Sequence, residues 1–254
     1  MASEFTGPRT AIVTGGARRI GAAIARALSE DGWHLLIHCR NSVAEGEALA
    51  AELGNARTVA ADLAEPDCAE RIFSGLGDLP PPRLLVNNAS RFVFDAADGF
   101  DVAGWNAHMD ANLRAPALLS SAFAKAAGAE GGLIVNLLDA KLAAPNPDFF
   151  SYSVSKFGLA GLTELTARAF APRGIRVCAI APSVTLVSGP QSRENFEAVH
   201  TLNPLERGVE VADIVRALRF IVESPVLTGQ TIVLDGGQRF LSLPRDVQFL
   251  EGQP

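Results

Sequence analysis

The chain has 254 residues, 48% of them hydrophobic and 20% charged, a balance that can bury one large core. A formal net charge of −6 argues against the basic footprint of a nucleic-acid binder, and no run of about 18 apolar residues exists to span a bilayer. Cys39, Cys68 and Cys178 lack CxxC spacing and the four histidines lie far apart, so neither a disulfide framework nor a metal site is expected.

Met1 to Arg9 lacks the basic-then-apolar order of a signal peptide, and the cysteine usage suits a reducing compartment, so the expected location is the cytoplasm. Short β-branched or leucine-rich runs recur at Thr10–Val13, Leu35–His38, Arg57–Ala60, Leu84–Asn87, Leu133–Leu138, Arg176–Ile180 and Thr231–Leu234, with helix-like Ala/Leu/Glu/Arg stretches between them. That alternation predicts an α/β fold: one doubly wound, Rossmann-type domain over residues 1–254, with a seven-stranded parallel sheet flanked by helices. The core is expected over about 9–240, followed by a tail from 241 to 254.

The first run leads directly into Thr14-Gly15-Gly16-Ala17-Arg18-Arg19-Ile20-Gly21 and an alanine-rich helix through about Leu28. Glycines in such a turn let the backbone approach a pyrophosphate, and the helix start supplies unpaired N–H groups. A guanidinium at Arg19 would add a charge-assisted contact to it. The second run ends in His38-Cys39-Arg40-Asn41-Ser42 with no acidic residue. A carboxylate there would bind the ribose hydroxyls of NAD, whereas Arg40 with the Ser42 hydroxyl suits the 2′-phosphate of NADP(H). The third run is followed by Asp62-Leu63 and the fourth by Asn88-Ala89-Ser90-Arg91-Phe92. Phe94 reads as ordinary packing, and nothing in the sequence assigns Arg91.

The fifth run ends at Asp139, thirteen positions before Tyr152, the chain's only tyrosine. Tyr152 and Lys156 stand four apart, on one face at the start of the next helix. A phenol is a poor acid or base at neutral pH, and a neighbouring ammonium stabilises its phenolate. The polar stretch from Ser183 to Asn203 reads equally as a lid and as a surface loop. Tail residues Val247, Phe249 and Leu250 would either cover a neighbouring subunit or fray.

From Thr10 to about Gly237 these motifs resemble the short-chain dehydrogenase/reductase superfamily. The departures at Arg19, Arg40, Ser90 with Phe92, and Asp139 resemble its pteridine reductase, or dihydromonapterin reductase-like, branch. That resemblance implies NADPH as cofactor, held by Gly15, Arg18, Arg19 and Ile20, by Arg40, Asn41 and Ser42, and by Asp62 and Leu63 on the adenine side. It adds Asn88, Ala89 and Ser90, the Tyr152–Lys156 pair, and Pro182-Ser183 against the nicotinamide. Arg19, Ser90, Phe92, Asp139 and Tyr152 would bind a pterin-like substrate, with Phe92 on the face opposite the nicotinamide. Asn112 would hold a water linking Lys156 to solvent. A homotetramer through Ala115–Ala127 and Phe157–Ala171 is implied too.

Asp139 stands where most of the superfamily has a serine. A carboxylate is a poor oxyanion partner but can orient the tyrosine and relay a proton to a ring nitrogen, which suits C=N reduction. The alternative, Asp139 as a loop cap with Ser151 or Ser153 acting, stays open at this point. So do two other functions: reduction of a ketone or 3-oxoacyl group, and a redox-sensing NADP-binding regulator without turnover.

Overall fold

The computed structural model describes residues 5, 7–189 and 191–250. Seven strands form one parallel sheet: β1 (Thr10–Val13), β2 (His34–Cys39), β3 (Ala56–Ala60), β4 (Pro82–Asn87), β5 (Gly132–Leu137), β6 (Ile175–Pro182) and β7 (Thr231–Leu234). Their order is β3-β2-β1-β4-β5-β6-β7. The seven runs read from sequence are these strands, displaced by one or two residues at some ends.

Buried on both faces, the strands read as continuous apolar runs, and the period of two assigns each residue to a side. Val13, Ile37, Val86, Val135 and Ile180 face α1 (Arg19–Glu30), α2 (Val43–Leu53) and α8 (Val211–Val222). Ile12, Leu36, Leu85, Ile134 and Val177 face α3 (Cys68–Ser74), α5 (Ala115–Ala126) and α6 (Phe150–Phe170).

Strand order reverses between β1 and β4, and at such a point the flanking helices diverge and leave a crevice beyond the strand carboxyl ends. Two local features shape its walls. A π turn, Asp110–Arg114, joins α4 (Val102–Met109) to α5, and it packs against α6 because Gly158 has no side chain: a Cβ there would lie 2.6 Å from Leu113 Cδ2. The stretch from Ser183 to Asn203 is not all loop, since Ser192 caps a two-turn helix, α7 (Arg193–His200), through Asn195 N–H at 3.1 Å.

As far as Leu250 the tail is packed rather than frayed. Residues Leu243 to Phe249 fold back along their own chain, with Val247 buried and Phe249 packed on Phe149 and Phe94. Residues 251–254 lie outside the described residues.

Candidate active site

Beyond the strand ends lies a cleft of about 760 Å³, inside the rough 300–1,000 Å³ range of small-molecule sites. At one end the β1–α1 turn is built for close approach. Gly15 has φ +60°, and a Cβ on Gly21 would sit 2.1 Å from the Gly15 carbonyl oxygen. Thr14 ties this turn to the β4 loop: its hydroxyl accepts the Asn88 and Ala89 N–H groups, each at 3.0 Å. The Asn88 amide donates back to Thr14 O at 2.8 Å and Gly15 O at 3.2 Å. The α1 N-cap, Arg18, makes no side-chain cap bond, which leaves first-turn N–H groups for a ligand.

Arg19 adopts φ +54°, a left-handed conformation that glycine takes freely and arginine does not. Its Nη2 donates to Val187 O at 2.7 Å, so the side chain spans the cleft from the β1–α1 turn to the segment after β6. At the far end Arg40 stands 3.8 Å from Asp62 with both side chains half-exposed, and no carboxylate follows β2 directly. A dinucleotide with an extra phosphate fits these residues: a bare-glycine turn, free helix N–H groups and two cationic side chains along one groove.

Sequence reasoning missed His38. This buried ring accepts the Gly15 N–H at Nδ1 (3.3 Å) and donates from Nε2 to Ala61 O (3.0 Å), which fixes it neutral. Burial holds its pKa below the ordinary histidine value. An isolated histidine inside an apolar strand gives no signal of such a brace.

At the other end the Tyr152 hydroxyl donates to Asp139 Oδ2 at 2.7 Å, while Asp139 Oδ1 accepts the Lys141 N–H at 2.8 Å. Asp139 therefore does both things the sequence left open, capping the 3₁₀ turn Ala140–Ala143 and engaging the tyrosine. Ser151 and Ser153 are buried away from the cleft, and Ser153 Oγ donates to Asp148 O. Burial first, and then the Asp139 charge, push the Tyr152 phenol well above its usual pKa. Lys156 is buried one turn on, Nζ 5.7 Å from the Tyr152 ring centre, donating to Leu137 O at 2.7 Å. Burial lowers its pKa to about 8, opposed by Asp139.

The start of α6, which aims Tyr152, is held from outside. Phe149, the residue before it, has φ +53°, strain of order 1–3 kcal/mol that persists only where surroundings over-determine it. Its ring stacks on Phe92 (4.2 Å) and Phe249 (5.8 Å), and the loop carboxylate Asp95 accepts the Ser151 N–H at 2.9 Å. Phe92 lines the cleft with Tyr152 edge-on at 4.7 Å, whereas Phe94 is 47% exposed and lies outside it.

Every residue read from sequence as cofactor- or substrate-binding lines this one cleft, from Gly15, Ile20, Asn41 and Ser42 through Leu63, Ala89 and Ser90 to Pro182 and Ser183. Asn112, read as the holder of a water, is the one such residue outside the lining. It lies behind the wall, its amide fully engaged: Oδ1 accepts from Arg91 N–H and the Ser90 hydroxyl, and Nδ2 donates to Arg91 O and Ser155 Oγ. Its side chain has no capacity left for a water. The tail was the other omission, since Arg245, Asp246 and Gln248 line the cleft.

The described residues contain no helix long and apolar enough to cross a membrane and no cluster of metal-ligating side chains. Residues 9–197 match the family model for short chain dehydrogenases. In solved structures, the FolM alternative dihydrofolate reductase 1 of Brucella canis, complexed with NADP, is 41% identical with a TM-score of 0.89, covering 94% of this chain and 97% of its own. The Brucella suis protein of the same description, also with NADP, is 42% identical with a TM-score of 0.87, over 91% and 95%. The 3-oxoacyl-(acyl-carrier-protein) reductase FabG of Staphylococcus aureus is 30% identical over 242 residues, 90% of this chain and 97% of its own. By sequence, fold and the turn that opens α1, this chain belongs to the short chain dehydrogenase family.

Proposed function

We propose that the chain is an NADPH-dependent reductase that adds hydride to a pteridine ring C=N, of dihydropterin or dihydrofolate type. The observation that carries this reading is the Tyr152–Asp139 hydrogen bond where a carbonyl reductase needs a neutral donor. NADPH, when bound, supplies the hydride. Arg18, Arg19 and the Gly15 turn bind its diphosphate, and Arg40 with Ser42 its 2′-phosphate. Phe92 offers a ring face to a flat heterocycle and Ser90 a hydroxyl to its edge.

Tyr152 stays protonated across the working pH range, so it holds the proton that a reduced ring nitrogen must receive. Asp139 orients that proton. Lys156, one turn along the helix, presents its ammonium to the nicotinamide ribose. In this reading Asn112 holds a water that links Lys156 to solvent through its main chain, since its amide is already engaged. Both Brucella relatives are described as alternative dihydrofolate reductases with NADP, which supports substrate and cofactor alike.

A second reading, reduction of a ketone or 3-oxoacyl group, is favoured by relatives such as the S. aureus reductase. Asp139 counts against it. The deciding experiment follows NADPH oxidation by purified protein with dihydropterins, dihydrofolate and a ketone panel, with NADH as control. Dihydropterin turnover with NADPH preferred supports the first reading, and ketone turnover alone replaces it with the second.

In this reading the chain is one cytoplasmic NADP-binding domain. It assembles as a homotetramer through α5 and α6, where Phe157 and Leu165 are exposed. Sedimentation checks the assembly.

A further inference from the structure

We propose that the C-terminal strap, Leu243 to Phe249, is the wall of the substrate end of its own chain's cleft, and that Asp246 on it selects substrates carrying an amino group beside a ring N–H. This deepens the pteridine reading and rests on it for the substrate's identity.

The strap is anchored on both sides of Asp246. Arg245 Nε lies 3.0 and 2.8 Å from the two Asp148 oxygens, and the Asp246 N–H donates to Asp148 Oδ2 at 2.7 Å. Phe249 closes a row of three stacked rings that begins at Phe92 in the cleft and runs through Phe149. The strap and the ring proposed to cover the substrate are thus positioned by the same packing.

Asp246 is held with acceptor capacity to spare. Its Oδ1 accepts the Gln248 N–H at 3.1 Å, and its Oδ2 stands 3.4 Å from Lys141 Nζ, which also donates to Asp148 O. Each carboxylate oxygen has two lone-pair directions, and only one of each is used. The group lines the cleft with its side chain 15% exposed, close enough to Asp139 that the latter's charge helps burial raise the Asp246 pKa.

The other charged groups on the strap and around it are already paired: Arg245 with Asp148, Lys141 with Asp246, and Arg239 with Asp235. What Asp246 itself offers a ligand is acceptor oxygen. An amino group beside a ring N–H presents two parallel donors at the spacing a carboxylate accepts, a bidentate fit that an acyl chain or simple ketone cannot make.

The test titrates NADP⁺-loaded wild type, Asp246→Asn and a chain ending at Ser242 with a 2-amino-4-oxopteridine, whose N3–H adjoins the 2-amino group, following protein fluorescence. The isosteric Asp246→Asn protein is expected to bind it about tenfold or more weakly with NADP⁺ affinity unchanged. The shortened chain is expected to lose the aminopteridine and keep NADP⁺, whose proposed contacts lie elsewhere. Equal affinity in wild type and Asp246→Asn, parallel loss of NADP⁺ binding in Asp246→Asn, or no binding by the wild type would each overturn the inference. A wild type that binds the aminopteridine through Asp246 yet reduces no dihydropterin would overturn the proposed function and leave this inference standing.

Discussion

The Tyr152 hydroxyl lies 2.7 Å from Asp139 Oδ2 and donates to it, so the proposed proton donor is poised on a carboxylate. A phenol in that bond, buried and facing negative charge, is held in its protonated form. That state suits reduction, where a proton must be delivered. Tyr152→Phe is expected to lower kcat for dihydropterin reduction by about 10²–10⁴ with NADPH binding retained. Asp139→Ala should also lower kcat, by a smaller factor, because the phenol keeps its proton but loses its orientation. Stopped-flow single turnovers separate these effects from binding. Wild-type rates in Tyr152→Phe would remove Tyr152 as donor.

The lowered pKa of Lys156 has two consequences. Its proton is lost at about pH 8 in the folded protein and near 10.5 when unfolded, so between these values the unfolded state binds more protons. Stability therefore rises with pH through that window, and the penalty for burying the charge applies in full below it. Urea midpoints of cofactor-free wild type should rise from pH 8 upward relative to Lys156→Met. In the same window kcat/KM should fall as the ammonium is lost, and a flat profile there would count against its role.

Arg40 carries the expected choice between cofactors. Replacing it with alanine removes the guanidinium that would meet a 2′-phosphate, worth about 1.5–3 kcal/mol for a charged hydrogen bond. The expected result is a rise in KM for NADPH of about tenfold to a hundredfold with KM for NADH little changed. Equal losses for both cofactors would indicate that Arg40 acts only through its pairing with Asp62.

Arg19 and Gly21 occupy the same turn and should respond differently. Arg19→Gly relieves a left-handed arginine but makes the unfolded chain more flexible, so stability should stay within about 1 kcal/mol of wild type. The loss should appear in KM for NADPH and substrate. Gly21→Ala drives a methyl into the Gly15 carbonyl, and the turn must shift, at an expected cost of about 1–3 kcal/mol together with cofactor affinity. Thermal melts with and without NADPH distinguish the two patterns.

Much of this molecule was legible in the sequence because its signals are local. Seven apolar runs with helical stretches between them impose a parallel sheet, and the glycines at 15 and 21 with a helix behind them mark the tight turn at one end of its cleft. Tyr152 and Lys156 needed only the four-residue spacing of a helix to fall on one face. The rest depends on contacts between distant segments. Nothing near Asp139 in sequence says whether it caps a turn or meets the tyrosine, and the structure has it doing both because the β5 end and the α6 start converge. Asn112 carries a family motif but spends its amide bracing the Ser90–Arg91 loop, a role fixed by segments about 21 and 43 residues away along the chain. The tail's apolar residues suggested cover for another subunit or fraying, and it becomes a wall of its own chain's cleft only because Asp148 and Phe149, some 100 residues earlier, offer it a charge and a ring. Periodicity and turn chemistry act over a few residues and can be read along the chain, whereas burial, pairing and pKa depend on which segments the folded sheet brings together.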